Sequence, residues 1–115
     1  MNKKTLHDFC LTIQGATHDY QPDWQADRYF IGGKMFALMG EKPMIILKCD
    51  PIRAEELREQ YEGITAGYHM NKTHWNSIYF NSDVDEQMAH ALIQHSCELV
   101  LNKLPKKVQK QINEQ

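Results

Sequence analysis

The chain has no surplus of positive charge. Its 13 Lys and Arg are outnumbered by 15 Asp and Glu, and the net charge is −2 at pH 7. A protein that lives by indiscriminate nucleic-acid binding is usually basic, so any such contact here falls to a local patch. Long apolar runs are also missing. Stretches such as Met44 to Leu47 are far too short to cross a bilayer. Met1 to Asp8 carry charge and lack the apolar stretch of a secretory signal. Cysteine is scarce. Cys10, Cys49 and Cys97 are odd in number and scattered, with no C-x-x-C, which reads as reduced, buried thiols in a cytoplasmic protein. The chain contains no G-x-S-x-G, no H-E-x-x-H and no phosphate-cradling glycine loop. His69 and His74 lie five apart and lack the closely paired ligands of a zinc site. The expectation is a protein without catalysis, metal or cofactor, and with a monomer as the default state.

What is present is an ordinary globular composition, 42% apolar and 24% charged, over 115 residues. That suits one domain, residues 1–115, with its own core. Leu6, Phe9, Cys10 and Ile13 recur at helical spacing, with Thr5 as the expected N-cap, Asp8 in the first turn and Gly15 as the stop. Residues 16–26 are polar and aromatic with Pro22 among them, and read as a surface connection. Arg28 to Ile31 and Lys34 to Met39 flank Gly32-Gly33, the signature of a tight hairpin. A second turn, Gly40 to Pro43, leads to a third strand, Met44 to Cys49, apolar enough to sit centrally. Asp50-Pro51 starts a helix whose expected buried face is Ile52, Ala54, Leu57 and Tyr61, with Gly63 ending it. A strand spans Trp75 to Phe80, with Trp75, Ser77 and Tyr79 on one face and Asn76, Ile78 and Phe80 on the other. Asn81-Ser82-Asp83 is the expected cap of a long helix carrying Val84, Met88, Leu92 and Leu99. Leu104-Pro105 breaks that helix, and 106–115 is a basic, polar tail with helical potential. The order α-β-β-β-α-β-α makes an α+β two-layer domain, an antiparallel sheet flanked by N- and C-terminal helices, with its other face free to be solvated or used.

The densest functional vocabulary lies in Gly67 to Tyr79, which mixes a turn glycine, two imidazoles, three aromatics and a lysine. Lys34, Lys42, Lys48 and Lys72 are candidates to neutralise phosphate, while Asn71, His74 and Trp75 can hydrogen-bond to or stack on bases. Lys103, Lys106, Lys107 and Lys110 form a second basic cluster, with Lys3 and Lys4 as candidate neighbours.

Gly32 to Leu38, Leu47 to Pro51, Gly67 to Asn76, His95 to Val100 and Leu104 to Lys107 together resemble the MmcQ/YjbR family of small bacterial proteins. Tyr68-His69-Met70-Asn71-Lys72-Thr73-His74-Trp75 is the most specific part of that likeness. The resemblance implies a fold of the frataxin/CyaY type with an added helix between strands. It also implies DNA binding through two hairpin wings, which by position are Gly32-Gly33-Lys34 and Gly40 to Pro43. Each wing holds a single lysine, so the expected affinity is modest. The alternative expectation is a small-molecule or protein-interaction module in which the Tyr68 to Trp75 surface lines a pocket and Lys48 and Lys72 select an anion. A third holds that Asn71 and His74 simply tie the loop down.

Overall fold

Met44-Ile45-Ile46-Leu47 lies within the sheet of the computed structural model, which describes residues 1–115. The elements are α1 (Lys3–Thr12), β1 (Ala16–Gln21), β2 (Ala26–Ile31), β3 (Lys34–Met39), β4 (Met44–Lys48), α2 (Pro51–Gln60), β5 (Ile64–Ala66), β6 (Trp75–Tyr79), α3 (Glu86–Asn102) and α4 (Lys106–Asn113). The six strands form one antiparallel sheet in the order β1-β2-β3-β4-β6-β5. The α+β class and the three-strand meander agree with the sequence reading, but the element order does not. Two strands and a helix are added to it.

Each correction has a local cause. Residues 16–21 are an edge strand whose side chains are exposed or half-buried, so they carry no apolar alternation to read. β5 is three residues long and is held by pairing with β6. The tail folds as α4 because Ile112 is buried, seated close to Gly15 and Gly32. Asn2, not Thr5, caps α1; Thr5 sits three residues on and completes a reciprocal capping box. Asp8 lies mid-helix and pairs with Lys4, and the helix ends before Gly15, whose positive φ instead turns the chain into β1. Asp85 caps α3. Asp83 accepts from the amides of Glu62 and Gly63, tying the exit of β6 to the end of α2. Ile52 is 72% exposed, so the inner face of α2 rests on Ala54 and Leu57, with Tyr61 half-buried at its end.

The Gly32-Gly33 hairpin forms as expected, with both residues at positive φ. A bulge follows. Phe30 faces Met35 and Tyr29 faces Ala37, so Phe36 is the extra residue. The bulge turns both Phe36 and Ala37 into the core. Ser96 of α3 fastens the same place: its hydroxyl donates to the Phe36 carbonyl at 2.6 Å and accepts from the Lys48 amide at 2.9 Å.

α1 and α3 cover one sheet face. There 23 buried residues form a continuous core that includes Leu6, Tyr29, Ile45, Leu47, Ile78 and Ile93. The other face has no helix over it. It nevertheless buries a second, four-residue cluster of Ala26, Leu38, Met44 and Ile46.

Candidate functional site

Alternation along β4 explains the second cluster. Ile45 and Leu47 point into the helix-covered core, so Met44 and Ile46 must point out onto the open face. Leu38 on β3 and Ala26 on β2 join them. Four apolar side chains on an uncovered face would be wetted, yet all four are buried. The cover comes from loops.

The connection from β5 to β6 folds back over the sheet. The Gly67 amide donates to the Trp75 carbonyl at 2.8 Å, and the Tyr68 amide donates to Ser77 Oγ at 3.0 Å. Met70 and Trp75 pack against the apolar cluster. From the opposite side comes the turn between β1 and β2, which carries Trp24. Arg28 holds a bidentate pair with Asp19 at 2.8 and 2.6 Å and lies 5.1 Å from the Trp24 ring centroid, so the indole has a fixed neighbour.

Between these walls lies a cleft of about 610 Å³. Its floor is the four-residue cluster, and Trp24 and Tyr68 stand on either side, 53% and 43% exposed. Asp23, Glu41, Lys42 and His69 supply its polar groups. The Lys42 ammonium lies 5.2 Å from the Tyr68 ring centroid and makes no ion pair. His69 takes a positive φ of 59°, a turn conformation that brings its ring to 4.0 Å from that of Tyr68. A concave, mostly apolar site with a few polar groups is the usual form of a small-ligand pocket, and this volume falls in the usual range.

The seven residues singled out from sequence do not converge. Lys42 lines the cleft and Trp75 supports its floor. Lys34 and Lys42 stand at opposite ends of β3, so the two hairpin turns are about 20 Å apart at the usual rise per residue. Lys48 is the register partner of Trp75, at the Lys34 end of the sheet. Partial burial and the charge of Lys103 lower its pKa. Asn71 Oδ1 accepts from the amides of Thr73 and His74, at 2.9 and 3.3 Å. The Lys72 ammonium donates to the Gly67 carbonyl at 2.9 Å, and the Lys72 carbonyl accepts from Arg58. His74 gives its carbonyl to the Cys49 amide at 2.8 Å. Asn71, Lys72 and the His74 backbone therefore brace the loop. The anion-selecting roles expected of Lys48 and Lys72 have no place in this cleft, because neither residue lines it.

Sequence reasoning missed Trp24 and the apolar floor as site residues, whereas Met70 falls within the Tyr68 to Trp75 surface expected to line a pocket. One signal was available. Met44 to Leu47 is apolar on both faces, and an antiparallel strand with one face in water would alternate. The three thiols are not activated: burial pushes Cys10 up to about 12, Cys97 up to about 11, and Cys49 up as well. No group of three or more His, Cys, Asp or Glu side chains is arranged to hold a metal ion.

The architecture is shared with other proteins. DR2400 of Deinococcus radiodurans, a DUF419 domain, superimposes with a TM-score of 0.90 at 26% identity, covering 97% of this chain and 88% of its own. A protein from Pseudomonas syringae superimposes with a TM-score of 0.78 at 25% identity, covering 87% of this chain and 99% of its own. In sequence, the uncharacterized protein YbdF of Escherichia coli O157:H7 is 34% identical, over 97% of this chain and 98% of its own. The uncharacterized protein YjbR of Escherichia coli K12 is 28% identical, over 96% of each. The family model YjbR matches residues 11–99, and the chain belongs to that family.

Proposed function

We propose that this chain is a non-catalytic binding module whose ligand is a small amphipathic molecule seated in the open-face cleft. The carrying observation is the pairing of a buried apolar floor with two half-exposed aromatic walls on the sheet face that no helix covers. Burial of the three thiols supports the non-catalytic part of the reading and also suits a cytoplasmic setting. A frataxin-like reading of the architecture is supported by the antiparallel sheet with N- and C-terminal helices on one face.

A titration with indole, followed by backbone and indole N–H NMR shifts, tests the reading. Shifts are expected at Trp24, Leu38, Met44, Ile46 and Tyr68. Saturating shifts elsewhere, with none at these positions, would reject the cleft.

DNA binding of modest affinity is the second reading. One observation favours it: Lys34, Lys48, Lys103, Lys106 and Lys107 have no carboxylate within ion-pair distance, and Lys48 senses the charge of Lys103. A short duplex should then shift amides at the Gly32-Gly33 end of the sheet and lose affinity steeply with salt. An absence of shifts at low salt retires it.

A further inference from the structure

Resting on the cleft as the binding site, we infer that its ligand is an organic cation, an ammonium carried on a flat apolar body. The cleft's own charges point that way. Asp23 and Glu41 are exposed at its edge and neither has an ion-pair partner in the chain. Lys42 is the one lysine or arginine that lines the cleft. Two carboxylates and one ammonium leave the cleft acidic, so an incoming anion meets repulsion and a cation meets attraction.

Both aromatic walls already have a cation over the ring. Arg28 lies over Trp24, and Lys42 lies over Tyr68. The two differ in how they are held. Arg28 is locked by its bidentate pair with Asp19, which offsets its charge, and stays behind Trp24 outside the lining. Lys42 makes no ion pair, and its ammonium donates no hydrogen bond within the chain. Its ammonium can therefore swing away at little cost. A ligand ammonium takes the vacated face of Tyr68, its ring system settles on Met44 and Ile46, and Asp23 and Glu41 gain the counter-charge they lack. An exposed ring face combined with nearby carboxylates is the arrangement that binds ammonium groups, and each element contributes modestly.

Three probes with one ring and different charge test this: neutral indole, cationic tryptamine and anionic indole propionate. Cleft shifts, including the Trp24 indole N–H, should give tryptamine a Kd about three- to tenfold below that of indole. Indole propionate should bind more weakly than indole. Lys42→Met should tighten tryptamine by a larger factor than indole, because the competing ammonium is gone. The double variant Asp23→Asn with Glu41→Gln should bring tryptamine to the level of indole. If indole binds and the three probes do not differ, or the anion binds tightest, the cationic ligand is overturned while the cleft stands. If none of the three shifts the cleft, both the cleft and the cation fall together.

Discussion

The two faces of the sheet are built from the same strands and serve different ends. On the helix-covered face, Ile45 and Leu47 join a core of 23 residues to which all four helices contribute. On the open face, Met44 and Ile46 join a cluster of four, screened by a turn and a loop. Neighbouring residues on β4 thus face very different amounts of packing. Area removed from water on the first face is the main source of stability. The second face buries only four residues, which contributes less to folding, and the half-exposed Trp24 and Tyr68 beside them leave room for a ligand. The contrast also explains where the polar effort goes. Hydrogen bonds around Asn71 and Gly67 hold a loop in place over the open face, whereas the helix face combines packing with a few fasteners such as Ser96.

The comparison breaks most directly at β4. Leu47→Ala removes a side chain that is 1% exposed in the main core, and should cost about 2–5 kcal/mol in chemical denaturation. Ile46→Ala, one residue away, should cost about 1–2 kcal/mol, because loops can settle into the gap more readily than packed helices. Its larger effect should be on indole binding. Equal losses of stability, with indole binding intact in Ile46→Ala, would mean that the two faces do the same job.

Asn71 separates bracing from recognition. Its side-chain oxygen accepts two backbone amides in the loop that carries Tyr68. Asn71→Ala should lower stability by about 1 kcal/mol, and Asn71→Asp should recover most of that, since a carboxylate accepts the same bonds. Calorimetric midpoints measure both. A residue that served only to touch a ligand would leave the midpoint where it was.

Much of this was legible in sequence, for reasons that differ by segment. α1 and α3 carry apolar residues at helical spacing over their full lengths, and Asp50-Pro51 and Gly32-Gly33 are local chemistry that few other conformations satisfy. β1 was not legible because an edge strand with polar side chains on both faces has no periodicity to detect. The short β5 is made by its partner, not by its own residues. The cleft was only half legible. Tyr68 and Lys42 lay in segments rich in functional side chains, but Trp24 comes from a polar turn and Leu38 from an apolar strand, neither with a signal of its own. The pairing of β1 with β2, which the sequence reading lacked, sets the Trp24 turn beside the sheet.

Acidification sharpens the same comparison from the helix side. The Asp50 amide, at the head of α2, donates to His95 Nε2 on α3 at 3.3 Å. That bond requires an unprotonated nitrogen. Burial, reinforced by the nearby Arg53 charge, lowers the His95 pKa below its ordinary 6.5. The unfolded chain therefore binds a proton at this position more readily than the folded one. Stability from this contact is fully present above pH 6.5 and is lost as pH falls from there through the lower folded value. Asp27 has the same direction but acts in a different window: its pKa lies below the ordinary 3.8, held down by Lys3 and His18 against the cost of burial, so its contribution persists until pH falls through that range. Thermal midpoints measured from pH 8 down to about 5 should fall less steeply in His95→Gln than in the parent chain. Gln keeps an acceptor without a titrating charge. Identical slopes would show that the contact between α2 and α3 does not sense protons.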